Sequence, residues 1–196
     1  PDRELVRHFP LHARQRFLSA PAQPAHAPAA AHYCAALASL GLGPGETRFA
    51  LGAPRPDARF IAIHPGSGSP RKNWPLDRWS AVAAYLRDRH RAELLVVTGE
   101  ADPADALAGF GRRAHALPLP DLVMHFRECR LFLGHDSGIS HLAAACGVPC
   151  VLLFGPTDPA TWAPPGPHVH VVRRDPDLTS ITVADVLAAL SHLGVR

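Results

Sequence analysis

Short apolar segments alternate with amphipathic ones from residue 60 onward, and this alternation most constrains the fold. Short apolar runs are typical of strands that are buried on both faces, and apolar residues at helical spacing are typical of helices that cover them. The pattern therefore predicts an α/β fold with a parallel sheet and helices on both faces. The predicted strands cover residues 60–64, 94–98, 131–134, 148–154 and 169–173, and the predicted helices cover residues 76–90, 102–113, 120–129, 139–146 and 182–190.

The amino-terminal part has a different composition. Residues 1–31 are rich in proline, alanine and histidine, and proline both fixes φ and removes a backbone donor, so a loop or linker is expected there. A short helix is predicted over residues 32–40, ended by Gly41, and a strand over residues 47–51. Two parts follow from this: a proline/alanine-rich segment with a linker helix over residues 1–58, and a folded domain over residues 59–196.

Composition excludes several classes of protein. With 196 residues, 47% hydrophobic and 19% charged, the chain is typical of a globular protein with one α/β core. Its longest apolar runs are too short to cross a bilayer, and residues 1–9 lack a signal-peptide pattern, so we expect a cytoplasmic location. The net charge of +3 is mild and the basic residues form no long run, so nucleic acid is not an expected partner. The four cysteines lack C-x-x-C spacing and are expected to be reduced and mostly buried.

The segment His135-Asp136-Ser137-Gly138 lies between a predicted strand and a predicted helix. The first N–H groups of a helix have no internal partners and carry partial positive charge, so this turn could hold a phosphate or diphosphate. An ordinary helix start, capped by Asp136 or Ser137, explains the same residues. His141 lies one turn inside this helix, where it is either a packed or capping residue or part of the same anion site.

The loop over residues 64–75 also follows a strand. Gly66 and Gly68 allow close approach of the backbone to a phosphate, Ser67 offers a hydroxyl, and Lys72 supplies a positive charge. The spacing of a Walker A loop is absent, which disfavours a P-loop nucleotidase. The alternative is a plain connection between a strand and a helix, with Trp74 packed inside.

Two further loops follow predicted strands. Glu100 comes after the second strand, where a carboxylate could accept hydrogen bonds from a ribose; a helix cap at Asp102 is the alternative for this loop. Thr157 and Asp158 come after the fourth strand, in a loop stiffened by prolines. Since ligands of parallel sheets bind beyond the carboxyl ends of the strands, we expect these loops to share one site.

Five blocks in this order resemble the signature of glycosyltransferase family 9, the heptosyltransferases of lipopolysaccharide assembly. They are His64-Pro65-Gly66-Ser67-Gly68, Lys72-x-Trp74-Pro75, Asp136-Ser137-Gly138-x-x-His141-Leu142-Ala143-Ala144-Ala145, Phe154-Gly155-Pro156-Thr157 and Trp162-x-Pro164. The resemblance covers residues 59–196, with residues 32–58 similar to the linker of the family. It implies a GT-B architecture of two Rossmann-like lobes, of which this chain would carry the carboxyl-terminal, donor-binding one.

The resemblance also implies roles for individual residues. Ser67 and Lys72 would contact the diphosphate of a nucleotide sugar, typically ADP-heptose, and three residues at the helix start would lie beside it: Ser137, Gly138 and His141. Asp136 would bind the donor sugar or orient the loop, and Glu100 would lie near the nucleoside. An acceptor hydroxyl, on a lipid-linked saccharide, would attack the anomeric carbon with inversion, and no metal or cofactor is expected. A lipid-linked acceptor would admit peripheral association with the inner face of the inner membrane.

One part of the family pattern has no counterpart in the sequence. The resemblance places the general base, an aspartate, in an amino-terminal lobe, and residues 1–58 are too few and too rich in proline to form that lobe. Two readings stay open: the donor domain of an inverting glycosyltransferase, inactive by itself, or a non-catalytic module that binds a sugar nucleotide or a partner. An epimerase of related GT-B shape is a more distant alternative.

Overall fold

The computed structural model describes residues 18–24, 28–43, 49–100, 102 and 107–193. The chain divides into two compact units. The smaller takes in residues 1–47 and 160–162, and the larger takes in residues 48–159 and 163–196. The sequence-based boundary at residue 58 stays a prediction, as does the role of residues 59–196 as a separate binding domain.

Six strands and six helices make up the regular structure of the described residues. The strands are β1 (Phe60–Ile63), β2 (Glu93–Thr98), β3 (Arg112–His115), β4 (Cys129–His135), β5 (Cys150–Leu153) and β6 (Val169–Val172). The helices are α1 (Ala29–Ala35), α2 (Leu76–His90), α3 (Leu119–Phe126), α4 (Gly138–Ala145), α5 (Pro159–Trp162) and α6 (Val183–His192). Short 3₁₀ turns lie at Ala36–Leu40, Pro70–Lys72 and Leu178–Ser180.

The six strands form one parallel sheet in the order β3-β2-β1-β4-β5-β6. This is the strand order of a Rossmann fold. The register pairs Ile61 of β1 with Leu94 on one side and with Leu131 on the other. The chain moves outward from β1 to β3 and then returns past β1 to β4, so the direction of winding reverses between β1 and β4. A crevice opens at such a reversal, beyond the carboxyl ends of the two strands.

Both faces of the sheet are covered by helices. On one face α2 contributes four buried residues at helical spacing, and α6 contributes two: Trp79, Val82, Ala83, Leu86, Val186 and Leu190. On the other face Phe126 of α3 meets Phe132 of β4 edge-on, at 5.5 Å between ring centroids. The all-buried pattern of β1 follows, because each strand side faces a layer of helix. The predicted α/β fold with helices on both faces is confirmed.

Two helix termini agree with the sequence in detail. The Thr182 hydroxyl accepts the amide of Asp185, and the Asp185 carboxylate accepts the amide of Thr182, which forms a capping box where the predicted helix over residues 182–190 begins. Near the amino terminus, α1 starts at Ala29, before the predicted residue 32. The 3₁₀ turn that continues it ends at Gly41, whose φ of 74° lies in the left-handed region.

Two predicted elements are wrong. Residues 107–113 were predicted to be helical, but residues 107–111 form a turn and Arg112 begins strand β3; residues 103–106 lie outside the described residues. β3 is an edge strand in which only Ala114 is buried, so it lacks the apolar run that reveals a strand. The strand expected over residues 47–51 is not formed by residues 49–51, and the remainder lies outside the described residues.

The cysteines are unpaired thiols. Cys129, Cys146 and Cys150 are buried, and Cys34 is half-buried, as the sequence predicted for most of them. Burial raises the pKa of Cys129 and of Cys150 to about 12. These two thiols are therefore protonated and unreactive at neutral pH.

Candidate functional site

The loops that the sequence singled out lie at the carboxyl edge of the sheet. Residues 64–75 follow β1 and residues 136–138 follow β4, so the two loops flank the crevice where the winding reverses. Glu100 follows β2, and Thr157 follows β5, one strand further out on either side. The fold therefore gathers the four predicted loops along one edge, with those of β1 and β4 at its centre.

Lys72 and Asp136 meet across this crevice. The ammonium Nζ of Lys72 donates a hydrogen bond of 2.8 Å to Oδ2 of Asp136, and the two side chains are 30% and 11% exposed. In the described part of the chain this is the one hydrogen bond of Nζ, so two N–H groups are left to face a ligand. The pair places a partly exposed cation, with a fixed direction, between the two central loops.

His135 is the last residue of β4 and directly precedes Asp136 of this pair. Its ring is fully buried; Nδ1 donates to the carbonyl oxygen of Gly66 at 3.3 Å, and Nε2 accepts the amide of Trp74 at 2.8 Å. Burial lowers the pKa of His135 to about 4. The ring is therefore neutral at pH 7, with the proton on Nδ1 and the acceptor lone pair on Nε2.

A second buried group supports the β1 loop from the side of β2. The carboxylate of Asp102 accepts the amide of Gly99 at 2.7 Å and lies 3.9 Å from Nδ1 of His64. That nitrogen donates to the carbonyl oxygen of Val97, and burial lowers the pKa of His64. A Cβ on Gly66 would lie 1.8 Å from Oδ1 of Asp102. A side chain at position 66 would therefore require this carboxylate to move.

The start of α4 combines both interpretations of its sequence. Ser137 is the N-cap, and its hydroxyl accepts the amide of Ser140 at 3.3 Å. Gly138 is the first helical residue, and a Cβ there would meet nothing within 4 Å, so there is room for a side chain at this position. His141 lies one turn further on and is exposed. The cap at Ser137 is therefore confirmed, and the role of this turn in binding an anion stays a prediction.

The remaining candidates are less closely joined. The Ser67 hydroxyl donates to Oδ1 of Asn73 at 2.6 Å, which closes the β1 loop on itself. Glu100 is exposed, and no hydrogen bond or ion pair in the described residues joins it to the other candidates. Oγ1 of Thr157 is buried without a hydrogen-bond partner in that same part of the chain. The structure thus brings Lys72 and Asp136 into contact and leaves Glu100 apart.

Sequence reasoning missed four contributors to this site: His64, Asn73, Asp102 and the supporting role of His135. His64, Asp102 and His135 act through backbone groups or partners that are distant in sequence, and Asn73 acts through a hydroxyl six residues away. Contacts of these kinds leave no motif. His135 and Gly66, for example, are 69 residues apart. Within the described ranges no group of three or more histidine, cysteine, aspartate or glutamate side chains could hold a metal ion.

No helix formed by the described residues is long and apolar enough to span a membrane.

Known proteins share this fold and parts of this sequence. The family model of glycosyltransferase family 9 (heptosyltransferase) matches residues 38–182. Lipopolysaccharide heptosyltransferase 3 of Escherichia coli is 28% identical over 164 residues, which cover 68% of this chain and 46% of that protein. Two solved structures are similar at 21% identity: E. coli heptosyltransferase WaaC with ADP (TM-score 0.66, covering 80% of this chain and 53% of that one) and the same enzyme with ADP-2-deoxy-2-fluoro heptose (TM-score 0.63, covering 81% and 53%). The chain thus spans about half the length of these relatives.

Proposed function

The chain belongs to glycosyltransferase family 9 (heptosyltransferase), and we propose that residues 59–196 bind the nucleotide-sugar donor of an inverting heptosyl transfer. The observation that carries this proposal is the Lys72–Asp136 pair, 2.8 Å apart, in the crevice between β1 and β4 and beside the N-terminus of α4. The similar structures of E. coli heptosyltransferase WaaC with ADP and with ADP-2-deoxy-2-fluoro heptose support ADP-heptose as the donor.

The diphosphate is the group that this site fits best. An ammonium with two remaining N–H groups and a helix N-terminus both stabilise negative charge. When the bond to the sugar breaks, charge grows on the leaving diphosphate, and donors fixed in advance stabilise it without having to reorient. We assign this role to Lys72 and to the amides at Ser137 and Gly138, with Ser67 and His141 at the edge of the diphosphate.

Asp136 has two tasks in this proposal. Its Oδ2 orients the ammonium of Lys72, and its remaining lone pairs can accept hydrogen bonds from hydroxyls of the donor sugar. Glu100, exposed after β2, is assigned to the ribose hydroxyls of the nucleoside, because an acidic residue does this in other Rossmann-like sites.

The acceptor and the general base are assigned outside this site. We propose a lipid-linked saccharide of the lipopolysaccharide type as the acceptor, and an acceptor-binding lobe, as in GT-B enzymes, as the source of the base. Reaction would then take place on the cytoplasmic side of the inner membrane. The alternative is a sugar-nucleotide-binding module that binds the donor and transfers no sugar.

Calorimetric titration of the chain with ADP, ADP-heptose, UDP and GDP tests the proposal. We expect ADP and ADP-heptose to bind, and Lys72→Ala to weaken both by about 10- to 100-fold, because a charge-assisted hydrogen bond contributes about 1.5–3 kcal/mol. Arg71→Ala is the matched control, since it removes an adjacent, exposed cation and should change affinity less than threefold. Absence of binding to every nucleotide overturns the proposal. Binding of ADP-heptose without transfer to a lipopolysaccharide acceptor, by the chain joined to an acceptor lobe, favours the non-catalytic module.

A further inference from the structure

The imidazole of His135 connects the two loops that carry Lys72 and Asp136. On one side it binds the β1 loop twice, at the carbonyl oxygen of Gly66 and at the amide of Trp74. On the other side, the backbone of His135 continues directly into Asp136. Its two hydrogen bonds therefore enclose the segment that contains Lys72.

We infer that His135 is a positioning residue that sets the geometry of the Lys72–Asp136 pair for the donor diphosphate; this rests on the proposed function. The His135 ring holds the amide of Trp74, and two residues earlier in the same loop Nζ of Lys72 meets Oδ2 of Asp136, the residue that follows His135. The indole N–H of Trp74 donates to the carbonyl oxygen of Ile181 at 2.9 Å, so the side chain of this residue is held as well as its backbone. The register of the loop over β4 is thus determined at Trp74.

Packing alone does not account for an imidazole at this place. The ring lies edge-on to Trp79, with centroids 5.2 Å apart, inside the core formed by α2 and the sheet. An apolar side chain of similar volume would fill this space without the cost of burying two polar nitrogens. It would leave the Trp74 amide and the Gly66 carbonyl group without these partners, and these are the groups that hold the loop.

A double-mutant cycle distinguishes positioning from simple stabilisation. If His135 acts through Lys72, His135→Leu should weaken ADP binding about tenfold in the wild-type background and less than twofold in the Lys72→Ala background. Equal fold-losses in both backgrounds would overturn the inference while leaving the proposed function intact. If the wild-type chain binds no ADP at all, the proposed function fails, and this inference fails with it.

Conservative variants keep the test valid if His135→Leu folds poorly. His135→Gln can present an oxygen to the Trp74 amide near the place of Nε2, and we expect ADP affinity within threefold of the wild type. His135→Asn can reach only the position of Nδ1 and the Gly66 carbonyl group, and should lose about as much affinity as His135→Leu. Phe126→Leu, a core change on the opposite face of the sheet, is the control: it should lower the melting temperature and leave ADP affinity unchanged. Equal affinities for the Gln and Asn variants would contradict the inference.

Discussion

The ammonium of Lys72 lies 2.8 Å from the carboxylate of Asp136, although the two residues follow different strands and are 64 positions apart in sequence. Asp136, directly after β4, thus fixes the direction of a flexible side chain before any ligand arrives. Preorientation of this kind lowers the entropy that an otherwise mobile lysine loses when it binds a phosphate. The carboxylate also makes the crevice less positive, so an anion must be recognised by geometry as well as by charge.

Asp136→Asn should separate the two tasks assigned to this residue. Because ADP has no heptose, its affinity depends only on the orientation of Lys72. The affinity for ADP-heptose also depends on hydrogen bonds between Asp136 and the sugar. We expect the loss of affinity for ADP-heptose to exceed the loss for ADP by about three- to tenfold, measured by calorimetry. Asp88→Asn, at an exposed carboxylate near the carboxyl end of α2, serves as the control and should change neither. Equal losses for both ligands would remove Asp136 from the sugar site.

Replacement by alanine should affect stability differently at two glycines of the site. Gly66→Ala places a methyl group 1.8 Å from Oδ1 of Asp102, and we expect it to destabilise the fold by about 1–3 kcal/mol, as overpacking does. Gly138→Ala adds a methyl group in open space at the first residue of α4, and we expect its stability to stay within about 0.5 kcal/mol of the wild type. Urea unfolding of both variants measures the difference. Similar midpoints for the two would contradict the close packing at Gly66.

Stability should fall in mildly acidic solution because of His135. Its folded pKa is about 4, below the ordinary value of 6.5, so between these pH values the unfolded chain binds a proton that the folded chain does not. The stabilisation is present in full above about pH 6.5 and is lost as the pH falls to about 4. Since one pKa unit corresponds to about 1.4 kcal/mol, the loss is roughly 3 kcal/mol.

Urea unfolding of the wild type and of His135→Gln at pH 7, 5 and 4 measures this contribution. His64, whose pKa is also lowered by burial, is present in both proteins, so the difference between them reports the titration of His135 together with its repulsion from His64. We expect the wild type to lose more stability than the variant over this range. Parallel pH dependence in the two proteins would show that the imidazole is not buried in its neutral form.

The capping box of α6 gives a stability prediction away from the site. Thr182→Ala removes the hydroxyl that accepts the Asp185 amide at 3.2 Å, and loss of an N-cap costs about 1 kcal/mol. Thermal unfolding should therefore show a lower midpoint for this variant. Ser191→Ala, near the other end of the helix, is the control, because its hydroxyl bonds to a carbonyl group within the helix and caps nothing. An unchanged midpoint for Thr182→Ala would argue against the cap.

Thiol labelling tests the burial of the cysteines. At pH 7 in the folded protein, we expect a maleimide reagent to modify Cys34, which is half-buried, and to leave the three buried thiols unmodified. The raised pKa of Cys129 and Cys150 adds to this protection, because the thiolate is the reactive form. Mass spectrometry of the intact protein should show one addition, and four in urea. Rapid addition of a second label to the folded protein would contradict the core described here.

The parts of the fold that are buried on both sides could be predicted from the sequence. The apolar run that starts at Phe60 marks a strand whose side chains are all buried. The helical spacing of apolar residues from Trp79 to Leu86 marks the buried face of a helix. β3 could not be found this way, because an edge strand such as Arg112–His115 buries one side chain and is otherwise charged or polar. Its place in the sheet comes from backbone pairing with β2, which depends on no particular side chain.

The candidate site could be predicted as a set of loops, and the contacts within it could not. Parallel strands bring their carboxyl ends to one edge, so Lys72 and Asp136 were expected near each other. In our inference their 2.8 Å contact is positioned by His135, whose partners are a carbonyl oxygen and an amide that almost any residue type would supply. Backbone groups carry no signature in a sequence. The roles given to Ser67, Glu100, Ser137, Gly138 and His141 stay predictions.

The reversal of winding between β1 and β4 also affects how binding is transmitted through the chain. A ligand held by both central loops joins two points of the backbone that are 64 residues apart, and β2 and β3 lie in the segment between them. Such a ligand works as a non-covalent cross-link that closes a long loop of chain. Amide hydrogens in β2 and β3 should then exchange more slowly with solvent when the crevice is occupied, including those of residues that never touch the ligand.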